Sequence, residues 1–93
     1  MNEQPKDLRE NLNLLHTTRL GNVRIRKNLS LNTEDVVGWC RKAIQNPETS
    51  VIRKGKNWYA AGKGFEITVN ASSYTIITAH SIRISTQADE QQK

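Results

Sequence analysis

Two hydrophobic periods divide the chain at Pro47. Before it, apolar residues recur every three or four positions; after it, they alternate. Leu8, Leu12 and Leu15 follow Pro5 on one face and predict a first helix that ends near His16. Thr17 or Thr18 offers a hydroxyl to cap a second helix through about Leu29. In "SLNTEDVVGWCRKAIQNPE" Thr33 is a cap, Glu34 and Asp35 suit the positive end of the helix dipole, and Asn46-Pro47 stops the third helix. Val36, Val37, Cys40, Ala43 and Ile44 share an arc there with Trp39 at its edge, so Cys40 reads as core and not as a nucleophile.

The alternating segments "SVIRK", "NWYA", "FEITVN" and "YTIITAH" predict four strands, separated by Gly55, by Ala61-Gly62-Lys63-Gly64 and by Ala71-Ser72. Connections this short make neighbours antiparallel. The expected fold is α+β: three N-terminal helices packed on one face of a four-stranded antiparallel β-meander. Residues 1–83 form the single domain, and 84–93, lacking an apolar period, a disordered tail. A tight turn at Ala71-Ser72 pairs Val69 with Tyr74, Ile67 with Ile76, Phe65 with Thr78 and Lys63 with His80. Phe65, Ile67, Val69, Tyr74, Ile76, Thr78 and His80 then share the helix-covered face, and Glu66, Thr68, Asn70, Ser73, Thr75 and Ile77 the other.

Charge narrows the range of partners. The 93 residues carry a net +5, and residues 11–83 alone hold eleven basic against four acidic side chains, a net +7. Such a balance suits a polyanion, because Lys and Arg displace counterions from phosphates; a basic but merely solvated surface is the plain alternative. The single cysteine excludes an internal disulfide and a cysteine-based zinc site, as expected of a protein kept in a reducing cytoplasm. No apolar run approaches the ~18 residues of a membrane span.

The second helix, "TRLGNVRIRKNL", sets Leu20, Gly21, Ile25 and Leu29 on one arc with Arg24 and Asn28 inside it. Arg24 therefore either pairs with a carboxylate or strand end, or turns its guanidinium towards phosphate. His16 and His80 each have two readings, a packing or capping histidine and a proton carrier near neutral pH. Cleavage of RNA by its own 2′-hydroxyl needs a base, an acid and a cation, and His80, His16, Glu66, Arg24 and Arg53 supply all three. Glu66 is the weakest of them, since the expected register sets it on the other face of the sheet from His80. "RKGKNWYAAGK" gathers Arg53, Lys54, Lys56 and Lys63 around Trp58 and Tyr59, a set suited to single-stranded nucleic acid or else a core tryptophan beside a charged edge.

The blocks "LHTTRLGNVRIRKNLSL", "DVVGWCRKAI", "KNWY" and "ITVNASSYTIITAH", over roughly residues 12–81, resemble a small bacterial family of unknown function. The end of the chain, Ile76 to His80, is also similar to the last strand of the barnase, colicin and RelE-like ribonucleases, which place helices before an antiparallel sheet. That second likeness implies a metal-independent, toxin-like endoribonuclease needing no cofactor. Only Thr78 and His80 match that group by position; from the residues themselves, His80 is the acid/base, with Thr78 orienting the site, Arg24 and Arg53 stabilising phosphate and His16 a second acid/base. Lys54, Lys56, Trp58, Lys63 and Arg83 form the expected nucleic-acid surface. The alternatives are a non-catalytic nucleic-acid-binding or regulatory module, and a domain that meets an acidic protein such as an antitoxin or inhibitor.

Overall fold

The computed structural model describes residues 8–82. The expected helix start at Pro5, the tail 84–93 and Arg83 lie outside the described residues. Three helices and a four-stranded antiparallel sheet make an α+β fold: a 3-10 segment Leu8–Leu14, α1 Arg19–Asn28 and α2 Val36–Gln45, then β1 Ser50–Lys54, β2 Asn57–Gly62, β3 Phe65–Asn70 and β4 Ile76–Ser81. Strand order is sequential, β1-β2-β3-β4.

The first segment is not the regular α-helix that its leucine spacing predicts. Asn11, at φ −128° and ψ 30°, breaks it, although Leu8, Leu12 and Leu15 are all buried as expected. Side chains of the segment and of α2 tie the two together. Arg41 Nε donates to the Leu12 carbonyl at 3.2 Å, which also accepts from Leu15 N at 3.2 Å. Arg9 in turn donates to the carbonyls of Ile44 (3.1 Å) and Thr49, so its guanidinium occupies the C-terminal end of α2.

Thr18 caps α1 by accepting from Gly21 N at 2.9 Å. Gly21 is required by a close approach: a Cβ there would meet Thr17 Oγ1, the hydroxyl that donates to Ile76 O at 2.9 Å. Ile25 is buried, but Leu20, placed by the helical wheel on the inner arc, is exposed. At α2 the cap is Asp35, which accepts from Gly38 N; Thr33 instead accepts from Asp35 N and shapes the approach.

One core joins these parts. Leu8, Leu12, Leu15, Ile25, Val36, Cys40 and Ile44 pack with Trp58, Ala60, Ile67, Val69, Ile76 and Ala79. The two outer strands differ at their edges. Along β4, His16 makes a parallel bridge to Thr75, Ile76 N donates to His16 O at 2.7 Å, and Asn28 Nδ2 donates to Ala79 O at 3.1 Å. A polar residue inside the apolar arc of α1 thus meets a strand edge, but it is Asn28 and not Arg24. β1 carries Arg53 and Lys54, charges that discourage further strand pairing.

Burial pushes the Cys40 thiol up from its ordinary 9.0 to about 12. The folded chain therefore keeps a proton that the unfolded chain releases, and stability falls as pH rises from 9 towards 12, by at most about 1.4 kcal/mol per pH unit from this group. A thiol reagent at pH 8 is expected to label Cys40 only at the rate of unfolding, and rapid native labelling would show the site to be accessible.

Candidate functional site

The register of β3 with β4 determines where the candidate chemistry stands. Glu66 pairs with His80, Ile67 with Ala79, Thr68 with Thr78 and Val69 with Ile76, and Ile77 falls between the last two partners as a bulge. This corrects the expected pairing of Lys63 with His80 and Phe65 with Thr78. One extra residue reverses the alternation, so Ala79 enters the core while Thr78 and His80 turn to the outer face. Uniform alternation cannot show such a bulge, because both faces of "TIITAH" contain an apolar residue. The turn before β4 is also longer than expected. Tyr74 has a positive φ of 62°, and Asn70 Oδ1 accepts from the backbone amides of Ser72 and Ser73.

Three rows cross the outer face: Ser50, Ala61, Glu66 and His80; then Ile52, Tyr59, Thr68 and Thr78; then Lys54, Asn57 and Asn70. Neighbouring rows are about 7 Å apart, two residues along a strand. In the first row His80 Nε2 lies 3.7 Å from Glu66 Oε1, with the two side chains 45% and 36% exposed. A carboxylate and an imidazole are thus in register within reach of solvent, able to take and to give a proton. Thr78 is half-buried beside Thr68 in the second row. Ile52, Lys54, Gly55, Tyr59 and Glu66 line a hollow of about 500 Å³ that extends from Glu66 across the face.

The remaining candidate residues are dispersed. Arg24 is exposed on α1, and no hydrogen bond or ion pair among the described residues links it to His80. Both ring nitrogens of His16 are engaged, Nδ1 with Leu14 O and Nε2 with Thr75 Oγ1, each at 3.0 Å. Its partner Thr75 precedes β4, at the other end of the strand from His80. Arg53 pairs with Trp58 across β1 and β2, so it occupies a row and a face different from those of His80. Its Nε donates to Gly55 O, and its guanidinium sits 5.5 Å from the centre of the Trp58 ring.

Trp58 itself is 5% exposed and packs on Tyr74 with ring centres 5.2 Å apart, so it is a core side chain. The aromatic that this strand presents outwards is Tyr59, the neighbour that alternation assigns to the other face. Lys54, Lys56 and Lys63 are exposed, the first two at or beside the β1–β2 turn and Lys63 in the β2–β3 turn, three residues from Glu66. Arg53 and Lys56 also line a second hollow, of about 490 Å³, with Asn70, Ala71 and Ser72.

Among the described residues, no three His, Cys, Asp or Glu side chains gather as metal ligands would, and no helix is long and apolar enough to cross a membrane. The class is that of a small basic α+β domain with a carboxylate–imidazole pair on the outer face of its sheet. The chain belongs to the family described as "Protein of unknown function (DUF3781)", whose model matches residues 9–80. No curated protein and no solved structure matches it, and the comparisons give no support to a likeness with ribonucleases.

Proposed function

We propose that this is an RNA-directed domain that cleaves RNA through its outer sheet face, with no metal. The reading takes the helices to cover one face of the sheet and leave the other to the substrate. One observation carries it: Glu66 and His80, 3.7 Å apart, form an acid–base pair at the surface of a basic domain. Glu66 accepts the proton of the 2′-hydroxyl as that oxygen attacks the adjacent phosphorus. The bond to the 5′-oxygen breaks, and protonated His80 gives its proton to that oxygen, leaving a 2′,3′-cyclic phosphate and a 5′-hydroxyl. Thr78 helps to orient the pair, Lys63 offers a charge for the phosphate, and Arg24, Arg53, Lys54 and Lys56 attract the strand. The proposed location is the cytosol.

A second reading is favoured by the Arg53–Lys56 hollow, which offers two cations beside the Asn70 and Ser72 side chains. On that reading the protein binds nucleic acid without cutting it. Incubating purified protein with total RNA in EDTA separates the two. Cleavage that His80→Ala abolishes supports the enzyme, and intact RNA contradicts it. A pure binder would instead lose affinity on reversal of Lys54 and Lys56 to glutamate, and the slope of log affinity against log salt would fall by about 0.7 per phosphate contact removed.

A further inference from the structure

Among the described residues, hollows that could engage a ligand include one at Arg53 and Lys56, one on α1 lined by Val23, Arg26, Lys27 and Leu31, one at the start of α2 lined by Asp35, Trp39 and Lys42, and the Ile52–Tyr59 hollow on the outer face. Of these, only the Ile52–Tyr59 hollow is lined by Glu66. We infer that it is a nucleobase subsite that holds an unpaired base of an RNA strand whose backbone passes the Glu66–His80 pair, an inference that rests on the RNA-directed reading.

The chemistry of the walls selects this ligand. Tyr59 contributes an aromatic ring on the outer face, one row from Glu66 in β3. Ile52, directly opposite Tyr59 in β1, is 58% exposed, although it is large and apolar. A flat ring and an aliphatic side chain side by side cover the faces and edges of a planar base, which stacks on an aromatic whatever its identity. Lys54, two residues along β1, places a cation at the border of the same hollow, where the phosphate of that nucleotide would lie. At about 500 Å³ the hollow falls within the roughly 300–1,000 Å³ usual for small-ligand sites.

A base stacked on Tyr59 must be out of any helix, so the substrate class is single-stranded RNA. Gly55 leaves the rim low, since a Cβ there would meet nothing within 4 Å.

The test is binding of a fluorescent 2′-O-methyl hexanucleotide, which lacks the attacking hydroxyl and cannot be cut, measured by anisotropy. Stacking on Tyr59 predicts that Tyr59→Ala weakens binding about 10-fold or more and that Tyr59→Phe leaves it nearly unchanged. Ile52→Asp, at an exposed position, should weaken it comparably by setting a carboxylate beside the phosphate, and it guards against a Tyr59→Ala variant that fails to fold. A duplex of the same strand should compete poorly. Wild-type affinity in Tyr59→Ala and Ile52→Asp, or equal competition by the duplex, would overturn the subsite. Tyr59-dependent binding by a protein that cuts no RNA would keep the subsite and remove the nuclease; cutting with no dependence on Tyr59 would do the reverse.

Discussion

Replacing His80 with alanine is expected to lower the rate of the proposed RNA cleavage by about 10²–10⁴-fold, the usual contribution of a positioned general acid or base. The fold survives the change. His80 is 45% exposed and its partner Glu66, 3.7 Å away, is 36% exposed, so the loss of stability is within about 1 kcal/mol. Thermal unfolding by circular dichroism, run beside the cleavage assay, separates the two effects. The wild-type products should carry 2′,3′-cyclic phosphate ends, which mass spectrometry distinguishes from the 3′-hydroxyl left by direct hydrolysis at the other ester bond. If His80→Ala cuts at the wild-type rate, another residue gives up the proton and the imidazole is only a surface group.

Trp58→Ala has the largest effect on stability. The indole is 5% exposed, lies among the core residues, stacks on Tyr74 and carries the Arg53 guanidinium over its ring. Removing a buried tryptophan costs about 3–5 kcal/mol, a large part of the ~5–15 kcal/mol that holds a domain together. The melting temperature should drop by about 10 °C or more. Any loss of RNA binding would then follow the unfolded fraction and recover on cooling. A variant that melts like the parent and yet binds RNA poorly would mean that Trp58 stacks on bases, the nucleic-acid reading of "RKGKNWYAAGK".

The contrast between Trp58 and Tyr59 shows how far sequence reasoning reaches here. Period and turn residues determine the element order, and α2 and the four strands stand close to where spacing sets them, because each has a strong apolar stripe and a clear stop. The first segment departs from an α-helix at Asn11, and the contact that ties it to α2, from Arg41 to the Leu12 carbonyl, spans 29 residues of chain that no local pattern records. The site was half legible. His80, Thr78 and Glu66 are visible as chemical types, but their common face depends on the bulge at Ile77, and an isoleucine pair followed by threonine and alanine alternates acceptably in either register. Arg24 stood out as a polar residue in an apolar arc, yet the polar group that meets β4 is Asn28. Tyr59 was overshadowed by Trp58, although alternation within β2 already puts the two on opposite faces.

Glu66 and His80 are proposed to act on the same phosphate as one device. Cleavage rates of Glu66→Gln, His80→Ala and the double variant measure this directly, because groups that act as a unit are strongly non-additive. The expected result is a double variant no slower than the slower single variant, to within a few fold. Two losses that multiply in full, or a Glu66→Gln enzyme as fast as the parent, would contradict it.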